Sequence, residues 1–425
     1  MKINLKRFLY NPLSQKKKKS NRGVALLLAM TTLLLMVFVA TEVSKDSTIE
    51  YVVNSQEINR IKAFYAARNS LEIALFRIKV YQQVANANLP PSFASQINQI
   101  WSFPFAWPLP LANDATIIDK DGVEKTTKEA LFQGSYSHSI SDEGSKIDIN
   151  DLGSPSKTLR EVTKKQLLNI FESKIENDDS FKEAYQNFNF TELVNRIADW
   201  MSDKTESDNG GDKKSAFSEL GDKYPPNRGF RTIDELRLIP GMTEEFFTLL
   251  SPQVTIYGSK AINPNTASES VLKSLDVGLT ADSVKEALDR RDDPEKGGPF
   301  VGSSSEECRN DFKNFVESKG ARLNPEFERI PFICDKVINF KIEATGRTGS
   351  GPGAVQKKIL AYVIDTQKAG AAIKGYLDQE KKEADEAAGI TQQPPLPPPT
   401  GPKANAPAKV TLPKGRPRIV YWTEF

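Results

Sequence analysis

Lys16 to Lys19 and Arg22 lead directly into an apolar run, and Val24 to Val43 holds one charge, Glu42. Twenty residues at about 1.5 Å each make roughly 30 Å, the thickness of a bilayer's hydrocarbon core. The basic cluster ahead of the run predicts a cytoplasmic N-terminus and an exported body. A cleaved secretory signal has a shorter apolar region and a small-residue cleavage site, and this run fits neither. No Pro or Gly interrupts the chain from Val24 through Ala87. Ile61, Phe64, Leu71, Leu75 and Ile78 recur at helical spacing, with Arg68 at the one missing position of the stripe. The pattern predicts one helix of about sixty residues, near 90 Å long. It is apolar all round in its first third and amphipathic afterwards.

Charge is segregated along the chain. The formal net charge of the 425 residues is +2, yet residues 1–23 hold eight basic residues and no acid. The remainder has 49 basic and 55 acidic residues, a net charge of −6. A mildly acidic body argues against a protein that coats nucleic acid. A single histidine, His138, cannot build a histidine-rich zinc site. Within "GSYSHSIS" it reads as an exposed turn or strand-edge residue rather than part of a catalytic triad. Cys308 and Cys334 lack metal-knuckle spacing. They read as a disulfide if the body lies in an oxidising compartment, or else as two buried thiols.

The middle of the chain reads as helical. Thr232 with Glu235, and Thr266 with Glu269, have capping-box spacing. Thr243 can cap a further helix, with Glu244 and Glu245 in its first turn. Pro240-Gly241 supplies a sharp turn between helices. Further on, "CDKVINFKIEATGRTGSG" and "QKKILAYVIDTQ" alternate apolar and polar residues, as an antiparallel hairpin does. Gly134–Ile140 and Lys146–Ile149 are expected to join its sheet. "KKEADEAAGITQQPPLPPPTGPKANAPAKV" lacks core residues and reads as an extended or disordered linker. "RPRIVYWTEF" regains strand character.

Four phrases carry a resemblance: Ile147–Leu152, Leu193–Asp203, Phe230–Met242 and Ile262–Leu272. Together with the basic leader ending at Gly23, they resemble the minor pseudopilin K family of type II secretion. The resemblance implies an α+β fold, with a long N-terminal helix on a small antiparallel sheet and a large inserted all-α domain of SAM-like bundles. It divides the chain into a leader at 1–23, a transmembrane stretch at 24–44, and the rest of the helix with the first strands at 45–150. The helical domain follows at 151–325, in two parts (151–258 and 259–325). Strands occupy 326–368, a Pro/Ala-rich linker 369–415, and a last strand 416–425. In this family a peptidase cuts after the glycine and the helix is kept. Cleavage therefore falls between Gly23 and Val24, and Val24 becomes the mature, N-methylated terminus. Leu28 stands where shaft subunits carry a glutamate that pairs with a neighbour's terminal amine. Leu28 cannot make that pairing, which suits either a variant shaft subunit or a subunit at the filament tip.

The resemblance also implies calcium in the head. Asp199, Asp203, Glu206, Asp208 and Asp212 offer hard oxygen donors on a glycine-containing loop, without EF-hand spacing. A solvated acidic loop is the alternative. The implied partners are other minor pseudopilins, the major pseudopilin, a prepilin peptidase and the inner membrane, with the outer-membrane secretin or cargo beyond. No residue set argues for catalysis. Two other functions compete: a minor pilin of a type IV pilus, and a membrane-tethered DNA receptor using "LIPGM" as a helix-hairpin-helix turn. Glu244 and Glu245 stand where a phosphate would approach, which counts against the second and leaves no nucleic acid among the expected partners.

Overall fold

The computed structural model describes residues 22–85, 97, 100–110, 117–130, 132, 134–349, 353–388 and 417–425. The leader up to residue 21 and the proline-rich stretch 389–416 lie outside the described residues. Helix α1 runs from Arg22 to Ala85, 64 residues without a break. The chain divides into two units, Met1–Ile61 and Lys62–Phe425. The described part of the first unit is a single helix.

The second unit holds a five-stranded antiparallel sheet in the order β1 (Phe105–Trp107), β2 (Gly134–Asp142), β5 (Phe340–Thr348), β6 (Val355–Val363) and β7 (Ile419–Glu424). Helix α2 (Ile117–Glu129) lies between β1 and β2 in sequence. The two-residue periodicity of β5 buries Phe340, Ile342 and Ala344 together with Gly346 and Thr348. That face packs on α1 through Ala67, Leu71, Leu75, Ile78 and Tyr81. The expected stripe is buried at Leu71, Leu75 and Ile78 and half-buried at Phe64, but Ile61 and Arg68 are exposed, and Ala63, Ala66, Ala67 and Ser70 are buried instead. Small residues are needed there because a Cβ on Gly346 would lie 2.2 Å from the Ala63 carbonyl oxygen and 2.3 Å from the Ala67 nitrogen. Strand and helix backbones touch, so alanine size counted for more than apolarity.

β2 and β5 pair along nine residues, from Gly134 opposite Thr348 to Asp142 opposite Phe340. Everything between Asp142 and Phe340 is an insert entering and leaving at one end of the sheet. The Glu143 N–H donates to the Asn339 carbonyl (3.1 Å), closing its base. The insert is wider than the expected 151–325, and its two parts share one continuous core from Ile147 to Cys334. β3 (Ile147–Asp148) pairs in parallel with β4 (Val254–Thr255) inside the insert. Lys146–Ile149 therefore does not join the main sheet.

The helices of the insert are α3 (Lys157–Asn177), α4 (Asp179–Tyr185), α5 (Phe190–Met201), α6 (Lys213–Ala216), α7 (Glu244–Leu250), α8 (Glu269–Ser274), α9 (Ala281–Asp292) and α10 (Ser305–Ser318). Thr243 caps α7 through the Phe246 N–H, as its spacing predicts. The two capping boxes do not form. Ile233–Leu238 is a 3-10 turn without a Thr232 side-chain cap, because Glu235 is held by Arg228 and the Arg231 N–H. Ser268 caps α8, and the Thr266 hydroxyl instead donates to Asp142 (2.6 Å).

The expected linker is also corrected in its first half. Thr366–Ala387 is a helix, α11. Its Glu380 carboxylate accepts from the Ser156 hydroxyl and from the Thr158 and Lys157 N–H groups, so one helix caps the start of another. Burial opposes ionisation of Glu380, but those donors outweigh it and bring its pKa to about 2. The Tyr376 hydroxyl donates to the Lys260 carbonyl (3.1 Å).

Candidate functional site

Three regions bear on function: the free part of α1, the acidic loop, and the polar seam where sheet meets insert. In α1, Gly23 has open space around its Cα, and Val24 and Leu28 are exposed. The run is long and apolar enough to cross a membrane, with a mean hydropathy of 2.5 over 18 residues. The Thr31, Thr32 and Thr41 hydroxyls donate to the carbonyls of Leu28, Ala29 and Phe38. A helix in hydrocarbon must satisfy its polar groups internally in this way.

The acidic loop holds its carboxylates apart. Asp199 is buried and accepts from the Ser207 hydroxyl (2.5 Å) and the Asp208 N–H (3.4 Å). Asp208 pairs with Lys164 and Lys204. Glu206 and Asp212 face each other in an isolated bridge, and the Asp212 side chain caps α6. The Lys213 ammonium is buried beside them, donating to the Ser202 carbonyl and Asn227. Asp203 is exposed on the loop. Among the described residues, no three His, Cys, Asp or Glu side chains converge as a metal-binding group.

The seam is built from residues that the sequence reading left unassigned. Lys260 lies between Asp148 and Asp151, 2.7 Å from the latter, with all three side chains largely buried. Burial alone would lower the Lys260 pKa, but the two carboxylates raise it. Burial, then the Asp148 charge, raises the pKa of Asp151. Lys260 opposes that rise, through its charge and its hydrogen bond to Asp151. Nearby, Asp142 accepts from the Gly144 N–H (2.8 Å) and from Thr266, and burial lifts its pKa to about 6. The two acids of "IDINDL" were the available signal; their partner, 109 residues away from Asp151, was not.

His138 is a further correction. It is not at an exposed edge: it lies in β2, with β1 on one side and β5 on the other. Arg77 donates to its Nε2 at 2.9 Å, and its Nδ1 lies 3.1 Å from the Ser70 hydroxyl. Cys308 on α10 is joined to Cys334 in a disulfide, with the Cα atoms 5.7 Å apart. In the "LIPGM" turn Ile239 is buried, while Leu238 and Gly241 are exposed. Gly241 has φ +86°, and Arg196 fills the space beside it while donating to the Pro240 carbonyl (3.1 Å). Glu244 is paired with Arg237, and Glu245 accepts from the Tyr185 hydroxyl.

Residues 145–259 match the model of the type II secretion system protein K family, in the first domain of that protein. The match spans 115 of the 425 residues. In the fold this domain opens just after β2, covers β3 through β4, and ends at Ser259 beside the Lys260 cluster. The first three of the four recurring phrases lie inside it, and the fourth begins three residues beyond. No curated protein matches the chain significantly. Among solved structures, the chain is similar to one from the crystal structure of the GspK-GspI-GspJ complex of the enterotoxigenic Escherichia coli type 2 secretion system. Identity is 14%, coverage is 77% of this chain and 95% of that chain, and the TM-score is 0.43.

Proposed function

We propose that this protein is a minor pseudopilin that sits at the tip of the type II secretion pseudopilus and starts or caps filament growth. The observation that carries this reading is a single helix, α1, joined to a protein K domain in one chain. The helix is fully exposed and apolar at its start, and further along it serves as the core element under a sheet. The exposed start inserts in the inner membrane, and after cleavage between Gly23 and Val24 it packs against the helices of other minor pseudopilins and the major pseudopilin. Leu28, exposed and apolar, cannot receive another subunit's terminal amine, which favours a position with no subunit above it. An insert running from Glu143 to Asn339 is too bulky to repeat along a closely packed shaft, and at a tip it would meet the secretin or cargo. The protein acts as a scaffold rather than a catalyst.

The two competing readings lose support. Glu244 and Glu245 are exposed beside the "LIPGM" turn, where their charge opposes an approaching phosphate. The protein K domain favours secretion over a pilus. A deletion strain tests this. Secretion should stop while pili persist, and wild-type protein or Leu28→Ile should restore export. Pilus loss with export intact would favour the pilus reading.

A further inference from the structure

Helix α11 leaves the sheet after β6 and reaches across to the insert. Its root is firm. The Asp365 N–H donates to Asn339 Oδ1 (3.3 Å), and the fully buried Asn339 amide donates in turn to the Tyr257 and Gly258 carbonyls. Asp365 Oδ1 accepts from the Lys368 N–H (3.1 Å) in the first turn of α11.

Beyond that root the attachment changes character. None of the described α11 side chains is buried, and none belongs to either apolar core. Hydrogen bonds reach the insert instead. The Tyr376 hydroxyl donates to the Lys260 carbonyl (3.1 Å). The Glu380 carboxylate accepts from the Ser156 hydroxyl (2.6 Å) and from the Thr158 (2.7 Å) and Lys157 (3.2 Å) N–H groups. The first N–H groups of a helix have no partner within it, and the helix dipole favours a negative charge beside them. α11 also walls a cavity of about 320 Å³, with Ala371, Ala372 and Tyr376 on its side and Ser304, Ile333 and Ile338 on the insert's.

Most helical stability in a protein comes from packing an apolar face, and an isolated helix of this length is marginal in water. α11 buries no such face, so it depends on its polar anchors, and breaking them disturbs neither core. We propose that α11 is a strap that lifts from the insert, pivoting at Asp365, while the rest of the head stays folded. Docked, it fills the α3 N-terminus with its own Glu380 carboxylate and closes one wall of the cavity. Lifted, it bares the Ser156–Thr158 turn and opens that cavity. This goes beyond the tip assignment and does not depend on it.

Hydrogen–deuterium exchange, read by mass spectrometry on the full chain in lipid nanodiscs at neutral pH, tests the strap. A lifted α11 loses its helix and exchanges. Wild-type α11 should be protected relative to unstructured chain, yet exchange at least about a hundredfold faster than β5. Glu380→Ala should speed exchange in α11 and at the start of α3 by about tenfold, the loss of one charge-assisted anchor, and leave β5 unchanged. Alanine is the better helix former, so propensity alone would slow exchange. Glu383→Ala is the control: its carboxylate accepts from Gln379 within α11, and its loss should not speed exchange. Wild-type α11 that exchanges as slowly as β5, or that has no protection, would overturn the proposal. So would equal exchange in Glu380→Ala and wild type, or equal acceleration by Glu383→Ala.

Discussion

Arg77 on α1 and His138 on β2 are joined by a hydrogen bond of 2.9 Å from the guanidinium to the imidazole Nε2. The same guanidinium donates to the carbonyls of Ile100 (2.8 Å) and Phe103. One side chain thus ties the long helix to the sheet and to the chain entering β1. Arg77→Met keeps the aliphatic stem but strands those acceptors. It should destabilise the head by about 2–3 kcal/mol, measured by urea unfolding of the full chain in detergent.

The pH response follows from two groups of opposite sign. Burial first, and then the Arg77 charge, lower the His138 pKa to about 4. The unfolded chain takes that proton first, so His138 contributes stability above its ordinary pKa near 6.5, lost as pH falls toward 4. Asp142 is raised to about 6 by burial, so the folded state takes its proton first. Its contribution is complete below about pH 4 and is lost as pH rises through 6. Between pH 4 and 6 the two offset each other. Asp142→Asn should make acid more destabilising in that window, and His138→Gln should make it less so. Each changes the slope by up to about 1.4 kcal/mol per pH unit, read from urea midpoints at fixed pH.

Gly346 sets how closely β5 approaches α1. An added Cβ would meet main-chain atoms of Ala63 and Ala67, which cannot rotate away. Gly346→Ala should destabilise the head by about 3 kcal/mol and speed amide exchange in α1 near Ala67. Unchanged exchange would contradict the packing described.

Cys308 and Cys334 close a loop with a sequence separation of 26 inside the insert core. Replacing both with alanine should cost roughly 3 kcal/mol in the chain-entropy account. Reduction of wild type should give a similar loss in the same unfolding assay.

These residues also show what could be read in advance. The length of α1, the β5–β6 hairpin, the last strand and the Thr243 cap were legible because each rests on local pattern. Leu71, Leu75 and Ile78 of the α1 stripe were legible too, but Ala63, Ala66, Ala67 and Ser70 were not, since alanine and serine carry little apolar signal and Gly346 lies hundreds of residues away in sequence. His138 looked exposed in a serine-rich strand because Ser70 and Arg77, its partners, come from α1. α11 was read as linker because its Ala- and Lys-rich sequence resembles the proline-rich stretch that follows. Its anchor, Glu380 at the start of α3, is a contact across 224 residues. In the acidic loop the run of carboxylates was legible, but their hydrogen-bond and ion-pair partners, lysines and backbone N–H groups, were not.

The central claim is a membrane helix that is cut at its cytoplasmic end and kept as a stem. Intact mass and N-terminal sequencing of the protein purified from its native host test it most directly. The account predicts a mature chain beginning at Val24, N-methylated, and a full-length precursor when Gly23 is replaced by a bulky residue. A mature chain that begins at Met1, or anywhere beyond Ser44, would contradict it.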